Sequence, residues 1–144
     1  MDQIIAEFSS VFSSLINGFP YFISHFGAAI FILIVAVYIY EKITPYDELE
    51  LVKNGNTAAA ISLSGGIIGL ALPLAFCLNG SVNLIDLIIW GTVILIVQII
   101  AFYVANLVID DLSKRIENNE IGPAILLFSG KIAVSMLNAA AVAI

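Results

Sequence analysis

The order of apolar and polar residues divides the chain into four long apolar stretches joined by short polar ones. The stretches lie at residues 21–40, 56–78, 86–109 and 122–144. Each is long enough to cross a bilayer as a helix, which takes about 20 predominantly apolar residues. The apolar runs are continuous and do not alternate, which argues against a membrane barrel. The pattern therefore predicts an all-α membrane protein with four transmembrane helices.

Residues 1–20 precede the first span and follow a different pattern, in which large apolar residues recur at helical spacing with serines between them. These apolar residues are Ile4, Ile5, Phe8, Val11, Phe12, Leu15 and Ile16. We interpret the segment as a short amphipathic helix on the outer membrane face, which the Asn-Gly-Phe-Pro sequence at 17–20 separates from the first span. A removed signal sequence is the alternative, although such a signal begins with positive charge and this segment does not.

Two parts of the chain resemble each other at a constant offset of 65 residues. Residues 58–75 match residues 123–140 in register, most clearly at Ser64 with Ser129 and Gly65 with Gly130. The chain is therefore predicted to contain two helical hairpins, 21–78 and 86–144, related as a parallel repeat about an axis along the membrane normal. We expect them to pack as a four-helix bundle.

The two polar loops within the hairpins each predict a short interfacial helix. The first is expected over 46–53, with Thr44 as its cap, and the second over 111–117. Four of the five cationic residues lie in these loops, namely Lys42, Lys53, Lys114 and Arg115. Because cytoplasmic loops carry the excess of Lys and Arg, both loops are predicted inside and both termini outside, on the periplasmic side.

Composition supports the membrane assignment and narrows the function. The 144 residues are 61% hydrophobic and 11% charged, whereas a soluble domain carries about 25% charged residues. The net charge of −6 argues against a nucleic-acid partner, which needs clustered cations. Cys77 is the single cysteine, so no internal disulfide and no cysteine metal cluster is predicted. No catalytic residues, metal or cofactor are predicted, because Ser64 and Ser129 have no histidine base at their depth.

The second span is rich in small residues, which favour close approach of helices in lipid. Two stripes at spacing four contain Ala58, Ser62, Gly65, Gly66, Gly69 and Pro73. We predict that they form a helix-packing surface. The alternative is the wall of a narrow conduit.

Lys131 lies within the fourth apolar stretch, nine residues after Gly122. At 1.5 Å per residue this is roughly 13 Å deep, near the middle of a hydrocarbon layer about 30 Å thick. A lysine at the membrane centre costs roughly 2.5–3.5 kcal/mol on insertion scales, and such residues usually face the bundle or a water-filled cavity. Counting residues along the spans predicts that Ser64, Gln98, Ser129 and Lys131 lie at one depth, in a polar membrane layer without a carboxylate. Ser135 and Asn138 follow Lys131 on the same face of the fourth span. The predicted residues are Ser64, Gln98, Ser129, Lys131, Ser135 and Asn138.

Several environments for Lys131 remain open from the sequence. The amine could be neutral, because burial lowers a lysine pKa, or solvated by Gln98, serines and water. It could also snorkel towards the interface or meet another subunit, and these would be structural roles. The functional alternative is a place on an ion or proton path.

The stretch "KITPYDELELVKNGNTAAAISLSGGIIGLALPLA" at 42–75, together with Trp90, Gln98 and "LNAA" at 137–140, resembles the domain of unknown function 350 family. The resemblance implies a small four-span protein of the bacterial inner membrane in which a hairpin domain occurs twice. The family motif falls on Ile43, Thr44, Pro45, Glu48, Asn56 and Trp90, among others. Lys131 departs from the family pattern, in which a small or hydroxyl residue is usual.

Two functions follow as expectations. The first is a small oligomeric protein that modulates ion or proton permeation, or membrane potential, through the polar membrane layer. The second is a structural or accessory subunit of an envelope complex or stress response, without transport of its own. The predicted partners are the lipid bilayer, further copies of the chain and, in the second case, other envelope proteins.

Overall fold

The computed structural model describes residues 2–81 and 83–142, and this part of the chain is built of helices. The elements are α1 (Asp2–Ile43), α2 (Glu48–Lys53), α3 (Thr57–Gly80), α4 (Leu84–Val108), α5 (Leu112–Glu117) and α6 (Ile121–Val142). Four of them, α1, α3, α4 and α6, are long and apolar enough to cross a membrane, which confirms the predicted fold class. Residues 1, 82, 143 and 144, the last two at the end of the predicted fourth span, lie outside the described residues. The internal repeat stays a prediction.

Helix starts are set by polar side chains that accept a bond from the first turn. Asp47 accepts from the backbone of Glu50, and Asn56 accepts from that of Ala59. These bonds satisfy backbone N–H groups that have no partner within the helix. The predicted cap Thr44 was wrong, because its hydroxyl donates back to the carbonyl of Tyr40 and so belongs to the end of α1.

The helix α1 runs through the position where the sequence predicted a break. Pro20 lies inside it, and the separation of residues 1–20 from the first span was wrong. Proline removes one backbone hydrogen bond of the helix, because it has no N–H group. The helical turns before and after Pro20 keep their backbone hydrogen bonds, so the helix continues. Tyr21 and His25 lie beside Leu78 near the end of α3, so residues 2–20 project about 28 Å beyond the bundle at 1.5 Å per residue. Their location on the outer membrane face stays a prediction.

The helix α3 occupies the centre of the bundle, packing most extensively on α6 and also contacting α1 and α4. All six residues predicted for helix packing are buried in it. A Cβ atom on Gly65 would meet Phe128 of α6, one on Gly66 would meet Tyr40 of α1, and one on Gly69 would meet Gln98 of α4. The small residues thus let three helices approach one, and protein side chains fill the faces considered as a conduit wall.

The two short helices lie at the same end of the bundle, where their loops are tied together. The side-chain amide of Asn56 donates to the carbonyls of Ile116 and Glu117, at 2.9 and 3.0 Å. In return, the Asn119 side chain accepts from the backbone of Ala58 at 3.0 Å. This reciprocal bonding fixes the end of α5, and the turn that leads into α6, against the start of α3.

Candidate functional site

The amine of Lys131 is buried and reaches towards the start of α3. The residue is 3% exposed, and its Nζ donates to the carbonyl of Ser62 at 2.9 Å, to Ser62 Oγ at 3.0 Å and to the hydroxyl of Tyr40 at 2.5 Å. Helical side chains point towards the N-terminus of their helix, which moves the amine well away from the depth of its own Cα. Ser62 is in the second turn of α3, so the charge lies about 8 Å from the start of that helix.

A carboxylate faces this amine, contrary to the prediction from depth counting. Glu48 is fully buried at the first position of α2, and its Oε1 lies 4.0 Å from Lys131 Nζ. The same oxygen accepts from Ser62 Oγ at 2.5 Å and from the Tyr46 hydroxyl at 3.2 Å. The prediction failed because it counted depth along the long spans only, whereas the bundle buries the first residue of a loop helix.

Two aromatic rings close the site on the other side of the amine. Lys131 Nζ lies 5.6 Å from the ring centre of Phe102, within the distance at which an aromatic face attracts a cation. It lies 4.9 Å from the ring centre of Tyr40 and approaches that ring at its hydroxyl. The two rings meet edge to face with centres 6.0 Å apart. We name Tyr40, Tyr46, Glu48, Ser62 and Lys131 the Glu48–Lys131 cluster. It joins α1, α2, α3 and α6 with Phe102 of α4 packed against it.

Burial governs the titration of the cluster at its loop end. Burial raises the pKa of Glu48 above its ordinary value, and the Lys131 charge and the Ser62 hydroxyl only partly offset this. Burial and the neighbouring Glu48 also raise the pKa of Tyr46. The Tyr46 hydroxyl therefore keeps its proton and acts as a donor to the carboxylate.

Ser62 connects the two ionisable groups through a single hydroxyl. Its Oγ accepts from Lys131 Nζ and donates to Glu48 Oε1. A proton can pass from Nζ to Oγ while the proton on Oγ passes to Oε1. The transfer turns an ammonium and a carboxylate into an amine and a carboxylic acid, and the hydroxyl ends with one proton as it began.

The remaining predicted polar residues of α6 extend this buried face. Ser135, one turn after Lys131, is fully buried, and neither its Oγ nor the Nδ2 of Asn138 has a hydrogen-bond partner among the described residues. The Oε2 atom of Glu48 is also buried without a hydrogen-bond partner among the described residues. Buried polar groups without protein partners are where proteins hold ordered water. Gln98 is also buried, but its amide donates to the carbonyl of Gly69 at 2.6 Å.

Two predicted members of the polar layer lie elsewhere. Ser64 and Ser129 are exposed on the outside of the bundle. Each donates to the carbonyl four residues before it, that of Ala60 at 2.7 Å and that of Ile125 at 2.8 Å. The structure does not bring them to Lys131.

The residues of the family motif have separate roles. Glu48 belongs to the cluster, Asn56 ties the two loops, and Thr44 closes α1. Trp90 is 42% exposed on α4, and Pro45 is exposed in the loop, whereas Ile43 is half-buried at the end of α1.

Sequence reasoning missed Tyr40, Tyr46 and Glu48 as neighbours of Lys131. It placed Ser62 in the packing surface without its polar role. The one available signal was Glu48 itself, an acidic residue of the family motif in the loop that precedes the second span. Within residues 2–81 and 83–142, no three His, Cys, Asp or Glu side chains are grouped to hold a metal ion.

Comparison with known proteins gives consistent matches along nearly the whole chain. The model of the Domain of Unknown Function (DUF350) family matches residues 14–142. The UPF0719 inner membrane protein YjfL of Escherichia coli (strain K12) is 32% identical over 119 residues, which cover 83% of this chain and 90% of that protein. The UPF0719 transmembrane protein YshE of Bacillus subtilis (strain 168) is 22% identical over 121 residues, with the same shares covered. No solved structure matches the chain.

These relatives and the four long apolar helices assign the chain to the inner membrane as a multi-pass protein. The side on which the termini lie stays a prediction. Neither relative's name includes an enzymatic activity.

Proposed function

The chain belongs to the Domain of Unknown Function (DUF350) family, and we propose that it passes protons through the membrane by way of the Glu48–Lys131 cluster. One observation carries this proposal. The Ser62 hydroxyl lies between a buried amine and a buried carboxyl, 3.0 Å from one and 2.5 Å from the other. Intramembrane ionisable residues that pair with one another are typical of proton relays.

The cluster supplies the loop end of the proposed path. Glu48 exchanges protons with the aqueous phase when α2 moves, since the other residues of this short helix are exposed or half-buried. The raised pKa of Glu48 favours the protonated acid. Ser62 then carries the proton to or from Lys131 by the double transfer described above.

The buried face of α6 supplies the remainder of the path. Ser135 and Asn138 follow Lys131 towards the end of α6, and the unpaired atoms Ser135 Oγ and Asn138 Nδ2 can bind water in a chain. A hydroxyl can accept one proton and release another along such a chain, and the amide can hold a water molecule of the chain by a hydrogen bond.

Protons fit this site better than metal ions do. The polar atoms of the cluster lie within 2.5–3.2 Å of one another along its hydrogen bonds. The space beside Gly65 and Gly66 of α3 is filled by side chains of α6 and α1. A hydrogen-bonded relay needs no open pore, whereas a hydrated cation would have to separate these contacts.

The test is proton flux into liposomes that contain the purified full chain, driven by a potassium diffusion potential and followed with an internal pH dye. We expect flux from the wild type and a roughly tenfold or larger loss with Ser62→Ala, because one lost hydrogen bond to charged groups changes a barrier by about 1.5–3 kcal/mol. Ser64→Ala is the matched control, since Ser64 is exposed and bonds only to its own helix. It should leave the flux unchanged.

Two results would contradict the proposal. One is a proton flux no higher than that of protein-free liposomes, although the wild type is folded and inserted into the liposomes in both orientations. The other is an equal flux from wild type and Ser62→Ala. Either result would favour the second candidate, an accessory subunit in which Glu48 serves to dock α2 on the bundle.

A further inference from the structure

The projecting part of α1 has an apolar face that no described part of the chain covers. Side chains at residues 3–24 are exposed, and residues 2–20 extend past the end of α3. The six large apolar residues Ile5, Phe8, Phe12, Leu15, Phe19 and Phe22 are each between 53% and 72% exposed. We name these six residues the α1 seam.

The spacing of the seam is that of a coiled coil. Its members follow one another at intervals of three, four, three, four and three residues, which is the heptad pattern with apolar a and d positions. Ile5, Phe12 and Phe19 take the a positions. The f positions, on the opposite side of the helix, are all polar, namely Gln3, Ser10, Asn17 and Ser24.

We propose that the α1 seam pairs with the α1 seam of a second copy of this chain to form a parallel coiled coil outside the bundle. Copies that insert into the membrane in the same orientation have their α1 helices side by side and parallel. In that arrangement each a position meets its own counterpart and each d position likewise. The seam is therefore complementary to itself.

The area and the charge agree with this partner. Phenylalanine buries roughly 150–250 Å², so covering the exposed parts of the seam buries about 500 Å² on each chain, or about 1,000 Å² in a pair. That is the size at which a specific interface is expected. Between residues 3 and 24 the one charged residue is Glu7, which lies at a c position, away from the seam, so the two copies have little charge repulsion there.

The alternative occupant of this face is the membrane surface, and the continuity of α1 disfavours it. The helix continues from residue 2 to residue 43, and about 63 Å of helix exceeds a hydrocarbon layer of about 30 Å. To lie flat, residues 2–20 would have to turn away from the span at the Gly18–Pro20 region. The described helix passes through that region without interruption.

Disulfide trapping in native membranes tests the pairing. In the full chain with Cys77→Ala, one variant has Leu15→Cys at a d position and its matched control has Asn17→Cys at an f position. Under mild oxidation Leu15→Cys should form covalent dimers at least about fivefold more than Asn17→Cys. A disulfide needs Cα atoms within about 7 Å, and f positions of a coiled coil are much farther apart. In a second comparison, Phe12→Glu at an a position and its control Ser10→Glu at an f position are each combined separately with Leu15→Cys. Only Phe12→Glu should abolish the dimer.

Two outcomes would overturn the proposal. Equal dimer yields at positions 15 and 17 would show random collision. Absence of dimer at position 15 and at Phe12→Cys, with both thiols protected from a water-soluble reagent, would show that the seam lies in lipid. Because these side chains are exposed, we expect the substitutions to leave the fold of the bundle unchanged, and an unfolding transition like that of wild type in detergent checks this.

Discussion

The helices α2 and α5 occupy comparable places in the fold and bury opposite chemistry. Each has six residues, each lies between two long helices, and each is followed by a residue in the left-handed conformation, Gly55 after α2 and Asn119 after α5. The first residue of each is buried, yet it is Glu48 in α2 and Leu112 in α5. The helix α5 is thus docked through a buried hydrocarbon side chain, so the docking of such a short helix does not by itself require a buried carboxylate.

The chemistry that surrounds these two residues differs as well. Glu48 contacts the polar groups of Ser62 and Lys131, whereas Leu112 belongs, with Ile116 of the same helix, to the hydrophobic core. Removing two charges from water costs several kcal/mol per ion, and replacing a buried ion pair by apolar residues is often neutral or stabilising. The comparison thus indicates that folding of the bundle does not need the ion pair of Glu48 and Lys131. It favours a functional reason for this pair.

The largest expected effect comes from removing one member of the pair. Lys131→Met leaves the Glu48 carboxylate buried without a cation, and Glu48→Leu leaves the ammonium in the same state. Each should lower the free energy of unfolding by about 3 kcal/mol. The double variant Glu48→Leu/Lys131→Met should return to within about 1 kcal/mol of wild type, since it gives α2 the apolar chemistry of α5. Unfolding in mixed detergent micelles measures all four proteins.

The control for this cycle is Lys114→Met, which removes an exposed cation of α5 whose ion pair with Asp111 is on the surface. Its effect should be under about 1 kcal/mol. If the double variant is as unstable as the sum of the two single variants, the pair does not interact and the comparison between α2 and α5 loses its meaning.

Sequence reasoning recovered the parts of the molecule that depend on long patterns. Four spans followed from continuous apolar runs, and the packing role of α3 followed from small residues such as Gly65 and Gly69. The ends and contacts of short elements were harder. Thr44 and Asp47 are both acceptable caps, and the choice between them depends on where α1 ends.

The cluster shows why the site itself was only partly predictable. Lys131 was identified because a cation in hydrocarbon is costly. Its partner was missed because Glu48 belongs to a loop with several other acidic residues, and tertiary packing alone decides which of them is buried. The long lysine side chain then moves the charge away from its backbone depth, so Ser62 and not Ser64 becomes its neighbour. Counting residues along a span gives the depth of a Cα atom, not that of a flexible side chain's end.

One glycine in α3 and one in α6 extend the comparison to effects of intermediate size. A Cβ atom on Gly65 would lie 2.9 Å from Phe128 Cδ2 and 3.1 Å from Phe128 Cα, whereas one on Gly130 meets nothing within 4 Å. Gly65→Ala should therefore destabilise the bundle by about 1–3 kcal/mol through overpacking. Gly130→Ala should be neutral or stabilising by up to about 1 kcal/mol, because alanine favours the helix. The same unfolding measurement serves, and equal effects at the two positions would show that α3 and α6 do not approach as closely as described.

The smallest expected effect is the pH dependence that Glu48 gives to the α2 side. Its pKa is raised by burial above the ordinary value of 4.5, so the folded state holds this proton more tightly than the unfolded state does. The stability that this proton contributes is fully present below the unfolded pKa and is lost as pH rises through the folded pKa. Glu48→Gln removes the titration, so the difference in unfolding free energy, wild type minus variant, should fall as pH rises from about 4. Glu50→Gln, an exposed residue of the same helix, provides the control and should leave the slope of wild type unchanged. A difference that increases with pH would mean that Lys131 keeps Glu48 ionised in the folded protein, and the cluster would then be a fixed ion pair unable to take up a proton in the proposed relay.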